Sequence, residues 1–301
     1  MNNLILLVLC FIAGMLLRRF ERMPENAPAT LNNFIIHVSL PALTLLYIHE
    51  LHVSTDMFLI VAMPWLLFGL SAGFFWLMGR WLNLPRATTG ALMLLGGLGN
   101  TSFVGVPMVE AFYGHAGIPT AIIVDQLGSF FALSVLGITV AGIYSSGRPT
   151  AAEIVKRIVL FPPFIALVIA LLLIPVEYAG WATVILKRLS DTLAPLALLS
   201  VGLQLRLGHV AEHKRNLALG LVFKLVLAPL VIYLLYVQVL GAHGQAMQVT
   251  LFEAAMPPMI AAAIVANEHD LDPPLVNVMV AVGIIISFFT LGAWWWLWKS
   301  V

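Results

Sequence analysis

The chain has 301 residues, of which 61% are hydrophobic and only 10% are charged, and its formal net charge is +1. Soluble domains usually carry about 25% charged residues, so this composition excludes a soluble globular protein and predicts an all-α polytopic membrane protein. The net charge gives no indication of a nucleic-acid partner. The single cysteine, Cys10, excludes an intramolecular disulfide.

Ten apolar segments are interpreted as membrane spans, which take about 20 residues each, and the first of them is short. The first is interpreted as a span rather than a signal peptide, because no positive region precedes it and three arginines follow it. The seventh is interrupted by Asp191 and Pro195. The segments lie near residues 3–18, 31–48, 57–79, 87–113, 119–143, 154–175, 190–206, 216–240, 245–268 and 273–298.

The distribution of Lys and Arg predicts the orientation, since these residues are enriched in cytoplasmic loops. With both termini outside the cytoplasm, three of the fifteen Lys and Arg residues face outwards and Lys224 lies within a segment. The other eleven face the cytoplasm: Arg18, Arg19, Arg22, Arg80, Arg86, Arg148, Lys156, Arg157, Arg206, Lys214 and Arg215. The sequence therefore predicts an integral protein of the cell (inner) membrane with extracytoplasmic termini.

The fourth segment has an unusual middle, the stretch from Gly96 to Pro107, with four glycines and several polar residues. A broken helix in hydrocarbon leaves backbone groups unpaired, at several kcal/mol each, unless they face protein, water or a ligand. One interpretation is a substrate site between two half-helices; the other is a kinked helix that packs closely through its glycines. The candidate binding residues are Gly99, Asn100, Thr101, Ser102 and Pro107.

A shift of 154 residues aligns the two halves of the chain. It brings Pro41 onto Pro195, Gly90 onto Gly244, Met93 onto Met247, His115 onto His269 and Pro119 onto Pro273. A repeat of five helices is an odd number, so the second copy must be inverted, as in many secondary transporters. We expect repeats at 1–145 and 154–301, joined by a cytoplasmic linker at 146–153.

The repeat predicts a second interruption in segment nine, the partner of segment four. That segment contains Met256-Pro257-Pro258 in its middle, and a proline inside a helix costs about 3 kcal/mol or more. The sequence thus predicts that helices 4 and 9 are both broken and cross at the membrane midplane, with Met256, Pro257 and Pro258 in the substrate site.

Four polar residues within the apolar segments are candidates for coupling or for lining the site, because such groups are costly in hydrocarbon. Lys224 either neutralises Glu253 or Asp125, assists substrate entry, or extends to the inner interface. Glu253 has a proton-coupled role or forms a fixed pair with Lys224. Asp125 and Gln126 line the site or form a hydrogen-bonded structural pair.

The remaining polar and aromatic features have structural interpretations. Pro41 and Pro195 are expected to kink their helices. Two histidine-containing groups are interpreted as solvated loops rather than metal sites, namely His49-Glu50-His52-Asp56 and His209-Glu212-His213. The tryptophans at 294, 295, 296 and 298 fit an aromatic belt at the membrane surface. The sequence contains no hydrolase, zinc-protease or P-loop motif, so no catalytic residue, metal or cofactor is expected.

The signature stretches resemble those of the auxin efflux carrier family, and the resemblance covers nearly the whole chain. They are Gly99-Asn100-Thr101 with Gly105-Val106-Pro107, Glu253-Ala254-Ala255-Met256-Pro257, Leu40-Pro41-Ala42 and Ala228-Pro229. The resemblance implies ten helices in two inverted repeats, a scaffold half, a transport half with two crossed broken helices, and transport of organic anions. It also makes Ser39 and Gln204 weak site candidates. Plant members have a long central loop and polar residues after the first proline of the second motif, which this chain lacks, so auxin itself is not implied.

Helix electrostatics are compatible with an anionic substrate and also with a cation, because the opposing half-helix C-termini carry the reverse charge; the family resemblance favours the anion. A helix N-terminus carries about +0.5 of an elementary charge, so two of them meeting could hold one carboxylate. We therefore expect a secondary transporter or facilitator of small organic anions that works by alternating access. Its other expected partners are the lipid bilayer and a second copy of the chain, as a homodimer. The alternatives are a sodium- or proton-coupled carrier of the bile acid symporter or antiporter type, and a non-transporting membrane sensor on the same fold.

Overall fold

The computed structural model describes residues 2–48, 57–145, 150–205, 212–298 and 301. The regular secondary structure within these ranges is helical, without a strand. Residues 49–56, with the first histidine group, lie outside the described residues, as does His209 of the second group. The fourteen described helices are α1 Asn2–Arg19, α2 Ala27–Tyr47, α3 Met57–Trp81, α4 Arg86–Gly97, α5 101–113, α6 His115–Tyr144, α7 Ala151–Val159, α8 Pro162–Leu172, α9 Gly180–Ser190, α10 Leu193–Gln204, α11 Lys214–Val239, α12 Gln245–Ala254, α13 Ile260–Glu268 and α14 Pro273–Trp298.

Five of these helices, α2, α3, α6, α11 and α14, are long and apolar enough to cross a membrane. They have between 21 and 30 residues, against the roughly 20 that a bilayer requires. This architecture fits the predicted polytopic membrane protein. The other predicted segments are built from shorter helices, so the count of ten spans stays a prediction.

Prolines and widened turns occur together in three helices. The π-helical turns Ile35–Ser39, Thr101–Gly105 and Phe223–Leu227 each end two residues before a proline, at Pro41, Pro107 and Pro229. A proline ring collides with the carbonyl four residues earlier, and a π turn relieves this because its hydrogen bonds reach one residue further back. Pro195 is different: it lies in the first turn of α10, where a missing N–H breaks no helical hydrogen bond.

The helices fall into two compact units, and each unit takes elements from both halves of the sequence. The first unit comprises Met1–Val53, Ser102–Ile122 and Lys156–Leu205. The second unit comprises Ser54–Thr101, Ile123–Val155 and Arg206–Val301. The two units therefore do not coincide with the two predicted repeats, which stay a prediction.

Helix pairing in the first unit follows the pattern that an inverted repeat would give. α1 packs on α10, and α8 packs on α2. The predicted repeat relates segment one (α1) to segment six (α8) and segment seven (α10) to segment two (α2). It therefore relates the contact of α1 with α10 to the contact of α8 with α2. The shift itself is not constant, because 154 residues would carry the interruption at 98–100 onto 252–254, whereas α12 continues to Ala254.

The contact between α1 and α10 depends on two glycines. A Cβ atom on Gly14 would overlap the carbonyl oxygen of Leu199, and one on Gly202 would overlap that of Phe11. The two backbones therefore touch directly. Such small-residue contacts are a common way to associate helices in lipid, where no hydrophobic effect drives them together.

Replacing Gly202 by alanine should lower the free energy of unfolding by about 1–3 kcal/mol, because the added methyl forces the helices apart. Gly73→Ala in α3 is the matched control, since a Cβ there meets no atom within 4 Å; it should be neutral or stabilise by about 0.5–1 kcal/mol. Thermal unfolding of the purified protein in detergent, followed by tryptophan fluorescence, measures both. Equal melting temperatures for the two variants would contradict the close contact.

Candidate functional site

The two helix interruptions meet within the second unit. α4 ends at Gly97 and the chain returns to helix at Thr101, while α12 ends at Ala254 and α13 begins at Ile260. Gly99 and Pro258 lie opposite each other as an isolated antiparallel bridge. The predicted second interruption is therefore present, and the two extended segments run side by side.

Two backbone hydrogen bonds join the segments. The N–H of Asn100 donates to the carbonyl of Pro257 at 2.8 Å, and the N–H of Met259 donates to the carbonyl of Leu98 at 3.0 Å. Each interruption thus supplies the partners that the other lacks. This satisfies part of the backbone demand that, from sequence, required protein, water or a ligand.

The second interruption is shaped by its prolines. Neither Pro257 nor Pro258 has an N–H to continue a helical ladder, whereas the carbonyl of Pro257 is still available as an acceptor. The ring of Pro258 packs on α14 at Gly283, where a Cβ would come within 2.7 Å of the proline Cδ. Met256, between the two helices, is fully buried.

The glycines of the first interruption have two different roles. Gly96 and Gly97 pack against α3, since a Cβ on Gly96 would lie 2.5 Å from Phe75 Cε2 and one on Gly97 would lie 3.0 Å from Phe68 Cα. Gly99 is in the extended segment, and a Cβ there would lie 3.3 Å from Lys224 Nζ. The close-packing interpretation therefore holds for the first two glycines, and the broken-helix interpretation for the third.

Lys224 belongs to α11, and its ammonium group lies at the C-terminal end of α12. Its side chain is fully buried, and its ammonium nitrogen donates to the carbonyl oxygen of Ala254 at 3.2 Å. The last carbonyls of a helix lack intrahelical partners and carry partial negative charge, which favours a cation there. The alternative that Lys224 extends to the inner interface is wrong, because the ammonium is enclosed by protein.

Glu253 is adjacent to that carbonyl and is also buried, at 1% exposure. Neither carboxyl oxygen has a hydrogen-bond partner among the described residues. Lys224 and Asp125 are both close enough to interact with it electrostatically. Lys224 and Glu253 do not form a hydrogen-bonded pair, since the ammonium donates to the Ala254 carbonyl and neither carboxyl oxygen of Glu253 has a partner among the described residues.

Asp125 and Gln126 lie in the π-helical turn Val124–Ser129 of α6, and both are buried. The hydroxyl of Thr101 donates to Asp125 Oδ1 at 2.6 Å. The first helix interruption is therefore attached to α6 through a buried carboxylate. Thr101, Asp125, Lys224 and Glu253, which are far apart in sequence, belong to one polar cluster in the second unit.

Other predicted residues have separate positions. Ser102 and Pro107 are buried in α5, in the part of the chain grouped with the first unit. Ser39 hydrogen-bonds to Thr192 at 2.8 Å, and Gln204 donates to Ser200. Both weak site candidates are therefore hydrogen-bonded within the protein. The described residues contain no group of three or more potential metal ligands.

The aromatic cluster at the C-terminus is only partly a surface belt. Trp298 is buried and stacks on Trp294, whose indole N–H donates to the carbonyl of Leu225 at 2.9 Å. Trp296 is exposed and is the kind of side chain that an aromatic belt requires.

The Ala254 carbonyl, which accepts the hydrogen bond from Lys224, could not be identified from the sequence. Any residue type supplies a backbone acceptor, so such a group has no residue-type signal.

Two broken helices that meet inside a bundle of long apolar helices are typical of membrane transporters. The sequence profile of a family described as membrane transport protein matches residues 1–295. The chain therefore belongs to this family, that of the auxin efflux carriers, and the resemblance found in the sequence is confirmed. It is a membrane transporter.

Relatives from two archaea agree with this assignment. The chain is 30% identical over 289 residues to an uncharacterized transporter of Methanothermobacter thermautotrophicus, covering 94% of this chain and 93% of the relative. It is 24% identical over 309 aligned positions to an uncharacterized transporter of Methanocaldococcus jannaschii, covering 99% and 98%. These matches extend over at least 93% of each chain.

Removing the Thr101 hydroxyl should destabilise the cluster. In Thr101→Val, Asp125 loses a buried donor, which should cost about 1–3 kcal/mol of unfolding free energy. Thr101→Ser keeps the hydroxyl and serves as the control, retaining most of that stability. Thermal unfolding in detergent compares the two, and equal stabilities for the valine and serine variants would show that the hydrogen bond contributes nothing.

Proposed function

We propose that this protein is a secondary active transporter of small organic anions, in particular carboxylates, and that it works by alternating access. The substrate would bind where the two helix interruptions meet, at Gly99, Asn100, Thr101 and Met256-Pro257-Pro258. The observation that carries the proposal is the pairing of two buried helix interruptions beside a buried ammonium group. Broken helices of this kind form the substrate sites of many secondary transporters.

Helix ends support an anionic substrate. α13 begins at Ile260, directly after the paired segment, and its first N–H groups lack intrahelical acceptors. The chain also re-enters helix at Thr101, which directs further N–H groups towards the same segment. Donors and positive dipole ends of this kind bind carboxylates without an arginine.

The opposing helix end argues against a sodium-coupled carrier. A sodium ion would be expected at helix carbonyls, where partial negative charge accumulates. The Ala254 carbonyl at the end of α12 already accepts a hydrogen bond from Lys224. A fixed ammonium group therefore occupies the position at which a coupling cation of the bile acid symporter type would be sought.

The protein is proposed to lie in the cell membrane with both termini outside the cytoplasm, because this orientation places most Lys and Arg residues inside. Its two broken helices would then cross near the membrane midplane. The bilayer and the organic anion are its proposed partners.

Purified protein in proteoliposomes should take up labelled carboxylates. The panel is acetate, pyruvate, malonate and malate, tested under imposed proton, sodium and voltage gradients. We expect saturable uptake of at least one of them, with no requirement for sodium. Protein-free liposomes are the control, and the absence of uptake for all four under every gradient would refute the organic-anion proposal.

Asn100→Ala should weaken substrate binding with little change in stability. Losing one hydrogen bond to a charged group costs about 1.5–3 kcal/mol, which corresponds to an increase in Kd of about tenfold or more. Asn33→Ala, at an exposed position of α2, is the matched control and should leave affinity unchanged. Concentration dependence of uptake in proteoliposomes measures the effect, and an unaltered affinity in Asn100→Ala would remove this residue from the site.

A further inference from the structure

The buried polar cluster has an unbalanced formal charge. Lys224 supplies one positive charge, whereas Asp125 and Glu253 supply two negative charges if both are ionised, and all three side chains are at most 2% exposed. The helices that pack against α12 are α3, α11 and α14. Lys224 is the titratable group that α11 contributes near Glu253, and the described residues of α3 and α14 contribute none there. An isolated buried charge is costly, so a cluster of this kind favours binding one proton.

Hydrogen bonding indicates which carboxyl group takes the proton. Asp125 accepts a hydrogen bond from Thr101 at 2.6 Å, and such bonds favour the ionised form. Glu253 has no hydrogen-bond partner for either oxygen among the described residues. The nearby ammonium of Lys224 is held by the Ala254 carbonyl at 3.2 Å. Ionised Glu253 would therefore be a buried carboxylate without a donor, whereas its protonated form would balance the cluster.

We propose that Glu253 is the proton-binding residue of this transporter, and that its proton is carried in the same direction as the organic anion. With Glu253 protonated, Lys224 and Asp125 neutralise each other and an anion can enter the site without repulsion. With Glu253 ionised, the cluster carries a net negative charge that opposes the anion. Proton and anion therefore favour each other's binding, which is the thermodynamic basis of symport. The direction of coupling depends on the proposed anionic substrate, but proton binding at Glu253 does not.

A proton on Glu253 can be detected without any substrate. Infrared difference spectroscopy of the purified protein in lipid resolves the carbonyl stretching band of a protonated buried carboxyl group. The wild type should show this band at neutral pH, and Glu253→Gln should lose it. The control variant Glu268→Gln, at an exposed position of α13, should keep it. A wild type without the band, or a band that persists in Glu253→Gln, would overturn the assignment.

A second measurement needs no variant. Dicyclohexylcarbodiimide is an apolar reagent that modifies protonated carboxyl groups in membrane proteins, and mass spectrometry locates the adduct. The wild type should be modified at Glu253, faster at acidic than at alkaline pH. Modification that is absent at Glu253 across the pH range, or equally fast at all pH values, would contradict a titrating proton there.

The coupling is tested with proteoliposomes and an equimolar mixture of labelled acetate, pyruvate, malonate and malate. For the wild type, external acid should accelerate uptake several-fold over uptake without a pH gradient. In Glu253→Gln that ratio should fall to about one, since the residue no longer exchanges a proton, whereas the exposed control Glu268→Gln should respond like the wild type. A full response in Glu253→Gln would refute symport through Glu253 and leave the carrier function intact. Absence of uptake in the wild type, together with an infrared band that depends on Glu253, would instead refute the organic-anion function and leave the proton site standing.

Discussion

The pair of backbone hydrogen bonds between the two helix interruptions is the interaction on which the site depends. A broken helix in an apolar interior leaves donors and acceptors that water cannot reach. Here the segment around Gly99 and the segment around Pro258 satisfy each other, so neither interruption is stable without its partner. α4 is buried from Thr88 to Gly97, and most of α12 is buried too. The two helix interruptions, whose backbone groups lack helical partners, therefore lie in the core of the second unit.

The same interruptions determine where buried charge can be placed. Ending α12 at Ala254 leaves a carbonyl that binds the ammonium of Lys224, and Gly99 provides the space for that ammonium. Among the described residues Glu253 has no hydrogen-bond donor, whereas Asp125 has the Thr101 hydroxyl. One arrangement of backbone thus gives two carboxyl groups different environments. That difference is what a coupled carrier needs to separate a structural charge from an exchangeable proton.

Much of the architecture could be predicted from sequence because its signals are local. Apolar length and low charge predicted a membrane protein, and the prolines at 257 and 258 predicted a second break in segment nine. Side-chain partners could not be predicted in this way. Lys224 was assigned three alternative roles, and its acceptor is a backbone carbonyl that any residue type could supply. The tryptophans at 294 and 298 have the composition of a surface belt, yet they stack on each other and Trp298 is buried.

The sequence by itself determined the class of protein and the positions of its two broken helices, because hydrophobicity, glycine and proline act within a few residues of where they stand. Only the tertiary structure decided what the breaks do. It paired the two breaks with each other. It showed that the glycines at 96 and 97 pack closely against α3, whereas the glycine at 99 lies in the extended segment. It also placed Thr101, Asp125, Lys224 and Glu253 in one cluster. These outcomes depend on contacts between residues up to about 160 positions apart, for which a single sequence has no local pattern.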